Sequence, residues 1–309
     1  MTPLAIIAIL LAGVAQAQVL PEVPDGVQAI SLSGAELRAA EPSATTLDLL
    51  AIARLDYERD PDDADNIIWY GRRTAYAGDY RGAIEIFTEG IGKHPDDARM
   101  YRHRGHRYIS IREFRRAIDD LERAAELIEG QRNETEPDGA PNVLNIPVSS
   151  LHGNVWYHLG LAYYLVQDWD NAHRAYLNGF NAGRNDDNRV STTHWLYMIL
   201  RRAGRDEEAT RVLDNISADM NVIENMSYHR LCLFYKGEIS LEEMTADLVD
   251  NPSGAAGAYG VANWHYYNGD TGEAMRLLEA LAATESWAAF GVIAAEADLA
   301  AIRTTGSDR

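Results

Sequence analysis

Residues 156–180, WYHLGLAYYLVQDWDNAHRAYLNGF, constrain the chain more than any other stretch, because they read as two helices joined at Gln167-Asp168-Trp169. Trp156, Leu159 and Tyr163 share one apolar stripe at helical spacing. Gly160 and Ala172 are small, so the two helices can approach closely. Tyr176 then fills the space towards the next pair. One pair cannot bury its stripe alone, so the pattern predicts neighbours. They are present. Residues 67–95 place Gly71, a turn at Gly78-Asp79-Tyr80, then Ala83, Phe87 and Pro95 in the same register. Tyr101, Gly105, Tyr108, Ala117 and Leu121 repeat it after a step of 34 residues. A fourth copy covers 190–216, with Leu196, Leu200, the turn Gly204-Arg205-Asp206, Ala209 and Leu213. A last copy covers 256–283, with Val261, Tyr266, the turn Gly269-Asp270, Ala274 and Leu278.

The spacing W-x2-L-G-x2-Y followed by A-x3-F, completed here by Tyr176, resembles the tetratricopeptide repeat (TPR) superfamily. The resemblance covers most of residues 62–283, and the whole is similar to a secreted bacterial TPR family. It implies an all-α, right-handed superhelical solenoid of helix-turn-helix repeats. It also implies binding of a protein or peptide rather than chemistry, and no cofactor.

The flanks divide the rest. Residues 1–17 carry an apolar run, Leu4–Val14, and end in Ala15-Gln16-Ala17, the pattern of a cleaved secretory signal. The run is too short to span a bilayer. The mature chain is expected to begin at Gln18, to be periplasmic or secreted, and to insert into no membrane after cleavage. Residues 18–61 read as an extended lead-in followed by a capping helix, ATTLDLLAIARLDYER, over 44–59. Copies one and two occupy 62–129, and copies three and four 154–216. Between them, residues 130–153 interrupt the period, and Pro137, Gly139, Pro141 and Pro147 forbid a continuous helix there. Val143–Val148 is too apolar for a free loop, so it is expected to pack on the scaffold, on the hollow side. Residues 217–302 hold a degenerate helix pair (Tyr228–Tyr235 and Leu241–Leu248, with Gly237 in the turn), a break at Asn251–Gly254, the last copy, and a capping helix Trp287–Ile302. The tail 303–309 is expected to fray.

A formal net charge of −19 makes nucleic acid a poor partner. The lone Cys232 reads as a small buried hydrophobe rather than a nucleophile. No GxSxG, HExxH, phosphate-binding loop or CxxC is present, so no catalytic residue is assigned. His103 and His106 lie three apart on one helix but lack a third metal ligand. Asp62-Asp63 and Asp96-Asp97 suit helix caps. Asn185-Asp186-Asp187-Asn188 fits no recognised calcium loop.

The inner face is the informative one. In TPR arrays the first helix of each pair lines the concave groove. If the stripe of copy three faces its partner helix, Tyr157, Leu161 and Tyr164 lie on the accessible side. The same register gives Arg72 and Tyr76, then Arg99, Arg102 and His106, then His194, Met198 and Arg201. None is acidic, and 13 of the 28 basic residues fall between Arg72 and Arg132. Arginine suits bidentate recognition of carboxylates, so an acidic or carboxyl-terminal peptide is the expected ligand, with Arg102 at its centre. The bland alternative pairs these arginines with acidic turns or with Glu134 and Glu136, and packs the tyrosines under Leu144 and Ile146. Two function classes stay open: a protein-binding adaptor, and a small-ligand or sugar-binding module, or a cryptic enzyme, with Tyr157, Tyr164, Trp195 and His194 in a pocket closed by the insertion over His106 and His194.

Overall fold

The computed structural model describes residues 20–246 and 254–307. The signal segment, Gln18 and the chain break before Gly254 lie outside the described residues. What is described is all-α except for a short hairpin, β1 (Ala29–Ile30) with β2 (Glu36–Leu37). The helices pair in order: α1 (Ala44–Arg59) beside α2 (Ala64–Tyr76) and α3 (Tyr80–Lys93); α4 (Ala98–Ser110) with α5 (Phe114–Leu127); α6 (Leu151–Leu165) with α7 (Trp169–Ala182). Then α8 (Asp186–Arg202) meets the short α9 (Asp206–Val212), and α10 (Met226–Lys236) precedes α11 (Leu241–Ala246). The last pair is α12 (Gly254–Tyr267) with α13 (Thr271–Ala282), followed by α14 (Phe290–Ser307). This is a helical-repeat solenoid.

The repeated residues act as the spacing requires. A Cβ added at Gly160 would stand 2.5 Å from the Tyr176 ring, at Gly71 2.6 Å from Phe87, and at Gly105 2.7 Å from Leu121. One tight slot therefore recurs in three copies. Asp63 and Asp97 cap α2 and α4 through their side chains, as predicted, and Asp79, Asp168 and Asp270 cap the later helices. Each turn within a pair passes through a left-handed residue. Glycine takes that place at Gly78, Gly204 and Gly269, but Arg112 and Gln167 take it in copies two and three. A non-glycine residue there costs of order 1–3 kcal/mol. For Arg112 the position aims the guanidinium at α14.

Two expectations fail in detail. Val143, Leu144 and Ile146 are exposed, and only Val148 of that run is buried. The Asn142 side chain closes the tip into a short turn and donates to Glu224 at 2.6 Å, which ties the turn to the segment before α10 and leaves the apolar side chains outward. The helix predicted over Trp287–Ile302 starts later and continues to Ser307. The extended lead-in is tied down: the Gln28 side chain accepts from the Tyr80 and Arg81 amides, and Trp287 Nε1 donates to the Arg38 carbonyl. α1 does flank the first pair, yet it leaves Leu47, Ile52 and Leu55 exposed.

Candidate inner-face chamber

The first helices of the pairs form the inner row: α2 touches α4, α4 touches α6, and α6 touches α8. Two later helices lie against this row, α14 on α6 and α12 on α8. Every residue from Val292 to Leu299 is buried, so α14 is covered on all sides through that stretch. Two buried ion pairs fix it. Arg112 reaches Glu296, and Arg202 reaches Asp298 at 3.0 Å. A polar chain continues inwards: Asn263 Nδ2 donates to Tyr164 Oη (2.9 Å), Tyr164 bonds Tyr259 Oη (2.6 Å), and Tyr259 donates to Asp298 (2.8 Å).

This packing corrects part of the predicted groove. Tyr164 and Met198 are core residues. His194 is stacked between Tyr228 and Tyr235 and lies 1% exposed, with burial pushing its imidazole down to about 3. Arg201 lies on the Tyr267 ring and pairs with Asp206. Arg99 is held by Asp97 and Asp65, at 2.6 Å each, where α4 meets α2. The register places all of these residues on the first helices of the pairs. It could not show that α12 and α14 would fill that side over α6 and α8.

The other five predicted residues converge. Arg72, Tyr76, Arg102, His106 and Tyr157 line a chamber of about 420 Å³ between α2, α4, α6, α8 and the insertion, with Phe290 of α14 on its wall. The insertion roofs it. Glu136 N donates to Ser149 O and Leu151 N to Glu134 O, which closes the base of the loop. Arg72 donates to the Pro137 carbonyl and Arg73 to that of Gly139, both at 2.8 Å. Gly139 must be glycine for this approach, since a Cβ would stand 2.2 Å from the Tyr76 hydroxyl.

Arg102 does not face the chamber as a free cation. Its Nη2 lies 3.3 Å from Glu136 Oε2, and its Nη1 donates to His103 Nδ1 at 2.7 Å. Arginine only donates, so His103 carries its proton on Nε2, which points at Glu136 Oε1 from 3.1 Å. Burial, then the Arg102 charge, pushes His103 down to about 3, so it is neutral. Burial pushes the Glu136 carboxyl up, but Arg102 and His103 outweigh it and hold it well below the usual range. Glu136 is thus an ionised anchor for the roof, and Asn154 Nδ2 completes it at 2.6 Å. His106 stacks on His158 (4.3 Å between rings), and burial drives both well below their ordinary range. With His103 turned to Glu136 and His106 to His158, the two share no metal position.

The carboxylate-free inner face is also corrected. Its helices contribute no acid, but the insertion brings Glu136 and Asp138, and the segment before α10 brings Glu224. Burial raises the carboxyls of Asp138 and Glu224. Four polar atoms of the lining residues are buried with no hydrogen-bond partner among the described residues: Arg72 Nε, Arg102 Nε, Glu136 Oε1 and Asp138 Oδ2. Sequence reasoning missed Asn154, His158, Tyr228 and Phe290 as lining residues. The first two lie on the α6 face that was predicted; the last two come from distant helices, for which spacing gives no signal. The acidic turn near 186 is accounted for by structure: Asp187 accepts the backbone N–H groups of Ile223, Glu224 and Asn225, and Asp186 that of Asn221. Among the described residues no group of three His, Cys, Asp or Glu could hold a metal ion. No described helix is long and apolar enough to cross a membrane.

No family model matches the chain, and no curated protein matches it in sequence. Similar solved structures are TPR or TPR-like proteins. YrrB, a TPR protein with an unusual peptide-binding site, is 14% identical over 74% of this chain and 90% of its own, with a TM-score of 0.42. MamA is 17% identical over 62% and 90%, with a TM-score of 0.42. A kinesin light chain with nearly identical TPR-like repeats from Podosopora anserina is 16% identical over 72% and 94%, with a TM-score of 0.44. At these values the likeness says nothing of what this chain binds, and its solenoid architecture stands on its own helix pairs.

Proposed function

We propose that this chain is a non-catalytic binding scaffold that takes a short stretch of extended polypeptide in the chamber under the insertion. The observation that carries this is the roofed chamber, whose lining residues leave two donors, Arg72 Nε and Arg102 Nε, and two acceptors, Glu136 Oε1 and Asp138 Oδ2, unpartnered. Unmet buried polar groups are costly. Extended backbone offers a carbonyl and an N–H at every residue, so one strand can answer both kinds. Because α14 and α12 occupy the inner face over α6 and α8, the ligand is short rather than one lying along the whole groove. Lining hydroxyls give no sign of chemistry: Ser191 and Thr192 both donate to the Asn188 carbonyl.

The roof also suits the second class, a free small molecule such as a sugar, since a chamber of about 420 Å³ is the size of many small-ligand sites. One screen separates them. The purified chain is probed with a random heptapeptide display library and with a panel of free sugars and amino acids, beside Ala140→Trp. Ala140 is exposed at the chamber's rim, so this change plugs the opening without touching the Glu136 anchor. The expected result is enriched peptides whose binding is lost in Ala140→Trp. Binding of a free sugar or amino acid alone, or peptides indifferent to the plug, would overturn the peptide reading.

Export belongs to the same proposal. The run Leu4–Val14 ending in Ala15-Gln16-Ala17 supports a periplasmic or secreted chain starting at Gln18. Intact-mass measurement of the envelope fraction should give that start; a membrane-bound product retaining Met1 would contradict it.

A further inference from the structure

We infer that the chamber is one half of a longer channel, and that the channel selects a positively charged extended segment. This rests on the peptide reading above and adds its length and charge. A second cavity of about 450 Å³ lies between the lead-in, the end of α2 and the residues before α14. Tyr76 lines both cavities and is 42% exposed, so its ring is the partition between them. The chain also runs unbroken from one to the other on the opposite wall: Trp287 and Ala289 line the second cavity, and Phe290 lines the chamber. A strand that passes the Tyr76 ring therefore enters both.

Charge gives the occupant its sign. Each end of this path carries two carboxylates that have no ion-pair partner among the described residues. They are Glu41 and Glu285 in the second cavity, and Asp138 and Glu224 in the chamber. The only arginines on the walls are Arg72 and Arg102. Arg102 is already neutralised by Glu136, and Arg72, over the Trp69 ring with its Nη2 on the Pro137 carbonyl, offsets part of the Asp138 charge, which leaves the carboxylates in excess. Burial raises the Asp138 and Glu224 carboxyls, a cost that an incoming ammonium or guanidinium would relieve. The net charge of −19 attracts the same ligand from a distance. Side-chain preference is left to the four carboxylates and to the aromatic partition, where Tyr76 offers a face to a passing cation.

The test uses three synthetic heptapeptide pools of equal length, rich in Lys and Arg, rich in Asp and Glu, or neutral, with binding read by fluorescence anisotropy. The proteins are wild type, the pair Glu41→Gln with Glu285→Gln, the pair Asp138→Asn with Glu224→Gln, and Ala140→Trp. The cationic pool is expected to bind about tenfold tighter than the acidic one. Each neutralised pair should weaken it by roughly two- to fivefold, the scale of solvent-exposed ion pairs. Cationic tripeptides should respond to the Asp138 and Glu224 pair but not to the Glu41 and Glu285 pair. Neutral peptides blocked by Ala140→Trp, with no charge preference, would leave the peptide reading standing and overturn this one. Tighter binding of the acidic pool would also overturn it. No binding by any pool would overturn both.

Discussion

The inner row is open over α2, α4 and the first turns of α6 and α8, and filled over the later turns of α6 and α8, although the same helix register runs through all four. In the open half, Arg72, Arg102 and His106 stand beside a chamber. In the filled half the matching positions, Tyr164, His194 and Met198, are buried under later parts of the chain. Unpartnered buried polar atoms occur in both halves, with Thr193 Oγ1 and His194 Nε2 among those of the filled one. Around Asp298 the ions and hydroxyls form a closed network with Arg202, Asn263, Tyr164 and Tyr259. Around Glu136 the roof is anchored, yet neighbouring donors and an acceptor are left unmet. A repeat pattern decides which face of a helix looks inwards. What covers that face depends on chain that need not repeat.

The strongest break of the comparison is Asp298→Ala. It strands the buried Arg202 and removes the acceptor of Tyr259, so it should cost about 3–5 kcal/mol, the usual cost of removing one partner from a buried ion pair. Chemical denaturation checks this, and a loss under 1 kcal/mol would mean that α14 is not integral to the filled half. Gly160→Leu should come next, because the Tyr176 ring already meets the space at that position. Overpacking of this kind costs about 1–3 kcal/mol. An unmoved unfolding curve would contradict the close approach of α6 and α7.

Acid should act on both halves through histidines that are buried neutral. His103 lies under the roof and His194 in the filled half, and both are pushed down to about 3. The unfolded chain therefore binds more protons between pH 6.5 and about 3, so stability falls as the pH drops through that window. At pH 5 His103 alone should remove roughly 2 kcal/mol relative to neutral pH. Thermal melts from pH 7.5 to 4.5 measure this, and a flat profile would show that these rings accept protons where they stand. The smallest expected effect is that of Ala140→Trp, which should leave stability within about 0.5 kcal/mol, as for surface changes generally, and so keeps binding separable from folding. A larger loss would mean that the opening is part of the packing.

The helix pairs were legible because their signals are local. Gly71, Gly105 and Gly160 each meet a residue sixteen positions later, and a period carries that relation. The chamber was half legible. Arg72, Arg102, His106 and Tyr157 follow from helical register. Glu136 was legible only as one of several possible partners for the arginines, since it arrives on an insertion whose route is set by Arg72 and Arg73 side-chain bonds to its backbone carbonyls. The apolar content of Val143-Leu144-Ile146 suggested burial, but composition has no term for the turn that holds those residues outwards. Asp298 and Glu296 lie far along the chain from Arg202 and Arg112, and no spacing rule links them.

The measurement closest to the central claim is amide hydrogen exchange with and without the cationic heptapeptide pool at saturation. Slowed exchange should appear in α2, α4, the first turns of α6 and α8 and residues 136–140, with α12 and the buried stretch Val292–Leu299 of α14 unchanged. Protection centred on α12 and α14, or exposure of α14 as the peptide binds, would show that the filled half is the binding surface and that the chamber is not.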